Sequence, residues 1–183
     1  DANAHAPVRY AALCQGAGLV PMVEPEVLMD GDHDIEVCYD VTEATLRSLF
    51  GALYEHNILL EGTILKASMV ISGKDCPDQA PADEVAEATL RCLKASVPAI
   101  LPGIVFLSGG QSDESATANL NVMNTMGPHP WPLSFSYGRA MQSAALKLWA
   151  ADTTRNFAAA QKIVAQRARE NGLAALGRWT RAA

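Results

Sequence analysis

The sequence predicts an α/β fold built on a parallel sheet. Short apolar and β-branched runs alternate with longer segments of helical spacing, and Gly or Pro punctuates the changes. Each of the four apolar runs also stops at a chemically useful group: Glu24, Lys66, Ser108 and Ser136. Buried strands returned by helices form right-handed βαβ units, which carry all strand ends to one side of the sheet.

The elements follow in order. Ala4 to Ala17 reads as a helix whose pattern is already under way at Asp1, so the chain is expected to begin partway through a domain. Leu19 to Glu24, bounded by Gly18 and Pro25, is the first strand. Val41 to His56 places Leu46, Leu49, Phe50 and Leu53 at helical spacing, with Thr42 as N-cap and Glu43 in the first turn. Leu59 to Lys66 is the second strand, and Pro81 to Ser96 is a helix opened by a proline with acids behind it. Ile104 to Leu107 forms the third strand and runs directly into Ser108-Gly109-Gly110-Gln111-Ser112, with a helix from Ser112 to Asn124. Trp131 to Ser136 is the fourth strand. Tyr137-Gly138-Arg139 then turns into a helix through Ala150, and a last helix covers Asn156 to Leu176. No linker interrupts this order, so residues 1–183 are expected to form a single domain.

Composition narrows the function. The 183 residues are 49% hydrophobic and 19% charged, enough for one sizeable core. A net charge of −6 argues against a nucleic-acid surface, though one or two basic residues can still grip a phosphate. Cys14, Cys38, Cys76 and Cys92 have no zinc or dithiol spacing and are expected to be reduced thiols of a cytoplasmic protein. No apolar run is long enough for a membrane span, and no secretory signal opens the chain. Asp30-Gly31-Asp32-His33-Asp34 carries metal-ligand types but, from its place after the first strand, reads as a solvated turn. His5, His56 and His129 lack ligand spacing. Trp131, Trp149 and Trp179 read as packing groups, and the last helix, with Lys162, Arg167, Arg169 and Glu170, as an amphipathic outer helix.

Four β/α units fit half of a (β/α)8 barrel or half of an open doubly wound sheet. The first strand is followed by neither a dinucleotide-binding glycine pattern nor a P-loop lysine, which favours the barrel. Barrel chemistry gathers at the carboxyl ends of the strands, where all four runs carry polar groups. Glu24 to Lys66 and Lys66 to Ser108 are equal intervals of 42 residues, so these strand ends are expected to lie in register.

Lys66 is the centre of the chemical reading. A strand-end lysine often snorkels to water. One held near apolar walls instead loses its proton more easily, and neutral lysine forms imines with carbonyl substrates. The shift required, from about 10.4 to between 7 and 8, is worth about 4 kcal/mol. Imine formation also needs proton transfer, for which Glu24 supplies a carboxyl group with Glu26 to support it; a cap or ion pair is the plainer role for both. Ser108-Gly109-Gly110 presents bare backbone N–H groups at a helix start, and Gly138-Arg139 repeats the arrangement with a guanidinium. A glycine pair alone is more often an ordinary turn. Together with Lys66, the two loops suit a phosphorylated carbonyl substrate.

Val23-Glu24-Pro25-Glu26, Leu60-Glu61-Gly62-Thr63-Ile64-Leu65-Lys66, Phe106-Leu107-Ser108-Gly109-Gly110-Gln111-Ser112 and Phe135-Ser136-Tyr137-Gly138-Arg139-Ala140 resemble the ordered motifs of class I fructose-bisphosphate aldolase. The resemblance runs from Asp1 to about Leu176. It implies a (β/α)8 barrel of which this chain supplies about four C-terminal units and a terminal helix. It further implies Lys66 as the Schiff-base lysine, Glu24 as acid/base with Glu26 supporting, and phosphate binding by Ser108, Gly109, Ser136, Gly138 and Arg139. The implied reaction is reversible cleavage of fructose 1,6-bisphosphate, without metal or cofactor, in a homo-oligomer that is a tetramer in the intact family.

The resemblance covers only the second half of the family's barrel. The missing half would contribute further acid, lysine and arginine side chains, and a half barrel has two open parallel edges. The C-terminal stretch Arg178-Trp179-Thr180-Arg181-Ala182-Ala183 lacks the tyrosine-ended tail of many members. The 183-residue chain alone is therefore expected to turn over poorly. A catalytically inactive assembly or interaction module is the alternative reading. Another Schiff-base enzyme such as a transaldolase fits the four ordered motifs less well.

Overall fold

In the computed structural model, residues 2–181 are described, so the part of the first helical expectation that falls on Asp1 lies outside them. One four-stranded parallel sheet has the order β1 (Met22–Val23), β2 (Ile64–Ala67), β3 (Ile104–Phe106), β4 (Leu133–Phe135). The helices are α1 (Ala2–Gly16), α2 (Ile35–Glu55), α3 (Ala82–Ser96), α4 (Asp113–Thr125), α5 (Arg139–Ala151) and α6 (Phe157–Ala174). Strand order follows chain order without reversal. Right-handed crossovers then place the connecting helices on one face, as in an arc of a (β/α)8 barrel; a doubly wound sheet would reverse direction.

The two faces of the sheet differ accordingly. Val23, Leu65, Ala67, Ile104, Phe106 and Leu133 are buried. Met22, Ile64, Lys66, Val105 and Ser134 alternate with them and are half-buried or exposed. The core therefore lies between the sheet and the helices, with Leu46, Leu53, Leu93 and Leu120 among its fully enclosed side chains.

The first strand is shorter than expected, with Met22–Val23 in place of Leu19–Glu24 and with Leu19 and Val20 exposed, the fourth is Leu133–Phe135 in place of Trp131–Ser136, and two other elements depart in kind. Helix α2 begins six residues before Val41, because Asp34 rather than Thr42 is its cap: Asp34 Oδ1 accepts from Val37 N at 2.9 Å. Thr42 is buried inside the helix with its hydroxyl 3.9 Å from Cys38 Sγ. The Leu59–Thr63 part of the expected second strand instead holds a single 3₁₀ turn over Leu60–Gly62. Its backbone is engaged elsewhere: the Gln15 amide of α1 donates to Leu59 O (2.8 Å) and accepts from Leu59 N (3.1 Å).

Arg167 corrects a third expectation. Rather than facing water on an amphipathic outer helix, it is buried on the face of α6 that also carries Ala160, Asn171 and Ala174. Its Nε donates to Ala140 O (3.0 Å), and Nη2 donates to Asp113 O (2.7 Å) and Thr117 Oγ1 (2.8 Å). Nη1 pairs with Glu170 Oε2 at 2.5 Å, which keeps the enclosed charge compensated. One guanidinium thus ties the first turns of α4 and α5 together. Arg167→Ala should leave those acceptors unpaired and lower the unfolding free energy by about 2–3 kcal/mol; urea titration of both proteins measures the difference.

Candidate active site at the strand ends

Lys66 and Glu24 meet because of the β1–β2 register. Val23 pairs with Leu65, so the next residues on the two chains stand side by side. Glu24 Oε1 lies 2.8 Å from Lys66 Nζ. The lysine side chain is 19% exposed and the glutamate 43%, so the ammonium sits within the sheet's open face while the carboxylate faces outward. Lys66 pairs in the ladder with Val105, and Val105 with Ser134, which gives the amine an apolar neighbour on one side.

The equal 42-residue intervals have different structural meanings. The β1–β2 offset is 42, as Glu24 and Lys66 suggested. The β2–β3 offset is 39, because Lys66 pairs with Val105. Ser108 therefore lies three residues beyond the level of Lys66, roughly 10 Å further along the strand direction. Ser136 is likewise two residues beyond Ser134, the ladder neighbour of Val105. The lysine and the two serine loops form a staggered site rather than a level ring.

Ser108 and Gln111 close a tight turn, with Gln111 N donating to Ser108 O at 2.9 Å. Gly109 (φ 56°) and Gly110 (φ 85°) both adopt left-handed backbone there. A Cβ at Gly109 would stand 2.9 Å from Leu107 Cδ1, and one at Gly110 would stand 2.8 Å from Met29 Sδ. That Gly110 position is also 3.9 Å from Arg139 Nη1, so the loop after β1, the turn after β3 and the start of α5 converge. The turn is braced from behind: Asn119 Nδ2 donates to Gln111 Oε1 at 2.8 Å.

The two helix starts offer unequal seats for an anion. Helix α4 is capped by Ser112, whose Oγ accepts from Ser115 N, and carries Asp113 and Glu114 in its first turn. Helix α5 has no acid in its first turn and no side-chain cap; Gly138 precedes it and Arg139 begins it. Open space adjoins Gly138, where a Cβ would meet nothing within 4 Å. Between Ser136 and Gly138, Tyr137 is buried with its hydroxyl donating to Ala116 O at 2.8 Å. Burial pushes that phenol well above its ordinary range, so it acts as a neutral anchor.

Glu26 is exposed and shares a groove of about 710 Å³ with Glu24, Pro7, Thr45 and Ser48. Among the described residues, Lys66 pairs with Glu24 and not with Glu26. In the acidic turn, Asp30 pairs with Lys74, whose hydrogen bond and charge hold its carboxyl below the usual range. No group of three or more His, Cys, Asp or Glu among the described residues is arranged to hold a metal ion. All four cysteines are free thiols, and no described helix is long and apolar enough to cross a membrane. Sequence reasoning missed the supporting residues Ser68, Asn119, Tyr137 and Arg167, since a bracing hydroxyl or amide has no spacing signature.

Fold and site together define a β/α-barrel protein with a lysine–carboxylate pair and glycine turns at the strand ends. The family model for fructose-bisphosphate aldolase class-I matches residues 1–183, and the chain belongs to that family. A probable fructose-bisphosphate aldolase class 1 of Xanthomonas campestris is 75% identical over 98% of this chain and 54% of its own length. Fructose-bisphosphate aldolase 1 of Toxoplasma gondii is 56% identical over 96% of this chain and 48% of its own. The solved fructose-bisphosphate aldolase of Plasmodium falciparum, in a complex with TRAP and a small-molecule inhibitor, superposes with a TM-score of 0.93 at 48% identity, over 97% of this chain and 51% of that one. The chain thus spans about half the length of these relatives, and its sheet is the corresponding part of a (β/α)8 barrel.

Gly110→Ala should cost about 1–3 kcal/mol through backbone strain and contact with Met29. Gly138→Ala should move the melting temperature little, because space surrounds that position and its φ is negative. Differential scanning calorimetry of the two variants tests the contrast.

Proposed function

We propose that the protein carrying this chain catalyses the reversible cleavage of fructose 1,6-bisphosphate to dihydroxyacetone phosphate and glyceraldehyde 3-phosphate. Lys66 forms the Schiff base and Glu24 moves the protons. The 2.8 Å contact between Lys66 Nζ and Glu24 Oε1 carries this reading, because it supplies a nucleophile and a proton acceptor at hydrogen-bond distance.

Glu24 takes a proton from the lysine ammonium, and the amine adds to the ketose carbonyl carbon. The carbinolamine hydroxyl then leaves as water on receiving a proton from Glu24, giving an iminium. Glu24, a carboxylate again after the dehydration, takes the C4 hydroxyl proton as the C3–C4 bond breaks; the bonding pair flows to the iminium nitrogen, and the aldehyde departs. Protonation of the resulting enamine at C3 and hydrolysis return Lys66 and dihydroxyacetone phosphate. The iminium is the electron sink throughout. Ser108, Gly109, Ser136, Gly138 and Arg139 bind a substrate phosphate, with the acid-free start of α5 as its principal seat. Glu26, in the same groove as Glu24, is its supporting carboxylate.

One observation favours the assembly reading as an additional property: an apolar groove of about 590 Å³ between α5 and α6, lined by Leu146, Trp149, Phe157 and Val164. Chemistry and assembly separate experimentally. Borohydride reduction with dihydroxyacetone phosphate should leave a stable adduct on the peptide containing Lys66, and Lys66→Met should abolish it. Glu24→Gln should slow adduct formation about 10²–10⁴-fold. An adduct on another residue, or one that survives Lys66→Met, overturns the proposal. Arg139→Ala should raise KM about tenfold or more, as expected for losing a charge-assisted phosphate contact; steady-state kinetics reads that change.

A further inference from the structure

The backbone ladder between β1 and β2 ends at Val23 and Leu65, immediately before the Glu24–Lys66 pair. Pro25 follows Glu24 and has no N–H, so it cannot donate the next ladder bond. Beyond the pair, the two chains are joined again by the buried Ser68 side chain: Val27 N donates to Ser68 Oγ at 3.0 Å, and Ser68 Oγ lies 3.4 Å from Val27 O. The hydroxyl thus engages both backbone groups of Val27, as a strand partner would. Residues 24–27 are consequently held at both ends, by Val23 in the sheet and by Val27 on Ser68. Glu24 is 43% exposed and lines an open groove, so apart from its contact with Lys66 its carboxylate has room to shift.

We propose that Ser68 is a positioning residue for the Lys66–Glu24 pair: its hydroxyl rejoins the two chains at Val27, beyond the ladder bond that Pro25 cannot make, and sets the separation of carboxylate and amine. This inference rests on the Schiff-base reading of Lys66. Loss of the hydroxyl frees the 24–27 segment to shift relative to β2, and a displacement of about 1 Å at a reacting pair can cost on the order of 100-fold in rate. The phosphate seat is built from β3, β4 and α5 and meets the β1 loop only beyond Val27, at Met29, so substrate affinity changes far less than the rate.

The test uses the full-length protein and its Ser68→Ala, Ser68→Thr and Ser68→Cys variants. It measures the rate of borohydride-trappable imine formation with dihydroxyacetone phosphate, together with kcat, KM and melting temperature. Ser68→Ala should slow imine formation and kcat by about 10–100-fold with KM unchanged within twofold, while Ser68→Thr, which keeps the hydroxyl, recovers most of the rate. Wild-type rates in Ser68→Ala, or a loss in Ser68→Thr as deep as in Ser68→Ala, overturn the proposal. If Ser68→Ala does not fold, Ser68→Cys, with its weaker hydrogen bonding, must show the same selective loss, and wild-type rates there overturn it equally. If the unsubstituted protein traps no adduct on Lys66, the Schiff-base reading fails first. An adduct that forms on Lys66 at equal rates in the unsubstituted protein and Ser68→Ala removes only the role of Ser68.

Discussion

Parallel pairing is the constraint on which the rest of this structure depends. A parallel strand cannot be reached by a hairpin, so each must be returned by a long crossover. The consequence is directional. All four strands point their carboxyl ends the same way, and residues far apart in the chain, from Glu24 to Arg139, are delivered to one rim. The helices enclose the outer face of the sheet. The inner face keeps Lys66, Val105 and Ser134 open, so one arrangement of backbone separates the part that provides stability from the part available for chemistry.

The rim divides into two electrostatic regions. Around Lys66, the amine has an apolar ladder neighbour and, among the described residues, a single carboxylate partner. Further along, backbone N–H groups, two glycines and Arg139 favour an anion, and the stagger of the strands separates the regions by about 10 Å. Arg167 supports this second region from below: by joining the starts of α4 and α5 it fixes the relative placement of the two turns.

Much of this was legible in the sequence because the signals were local. Strand-end Lys66 and Glu24, the Gly109-Gly110 turn and the Gly138-Arg139 helix start stand out from their apolar surroundings, and the alternation of strand and helix indicated parallel order. What escaped was settled by tertiary contacts. Asp34 and Thr42 are both good caps, and the outcome depended on the helix continuing back through Ile35 and Val37 rather than on either residue's preference. The 3₁₀ turn at Leu60 follows from Gln15, which lies 44 residues away from Leu59 in the chain. Arg167 looked solvated because its helix face is made of small and polar residues, Ala160, Asn171 and Ala174, rather than the large apolar ones that mark a core. The spacing from Lys66 to Ser108 was suggestive but belonged to a different ladder offset.

The shortness of β1 and β4 has a consequence for pairing at the two edges of the sheet. A bare parallel edge is a template on which another chain can add a strand. Here β1 presents only Met22 and Val23 between Pro21 and Pro25, and β4 is three residues long with Pro132 directly before it. Proline has no donor for an incoming strand, and an edge this brief offers few bonds for a foreign segment to gain. Each edge of this sheet therefore offers few ladder bonds to whatever strand lies beside it, so side-chain packing rather than backbone pairing must carry those two junctions.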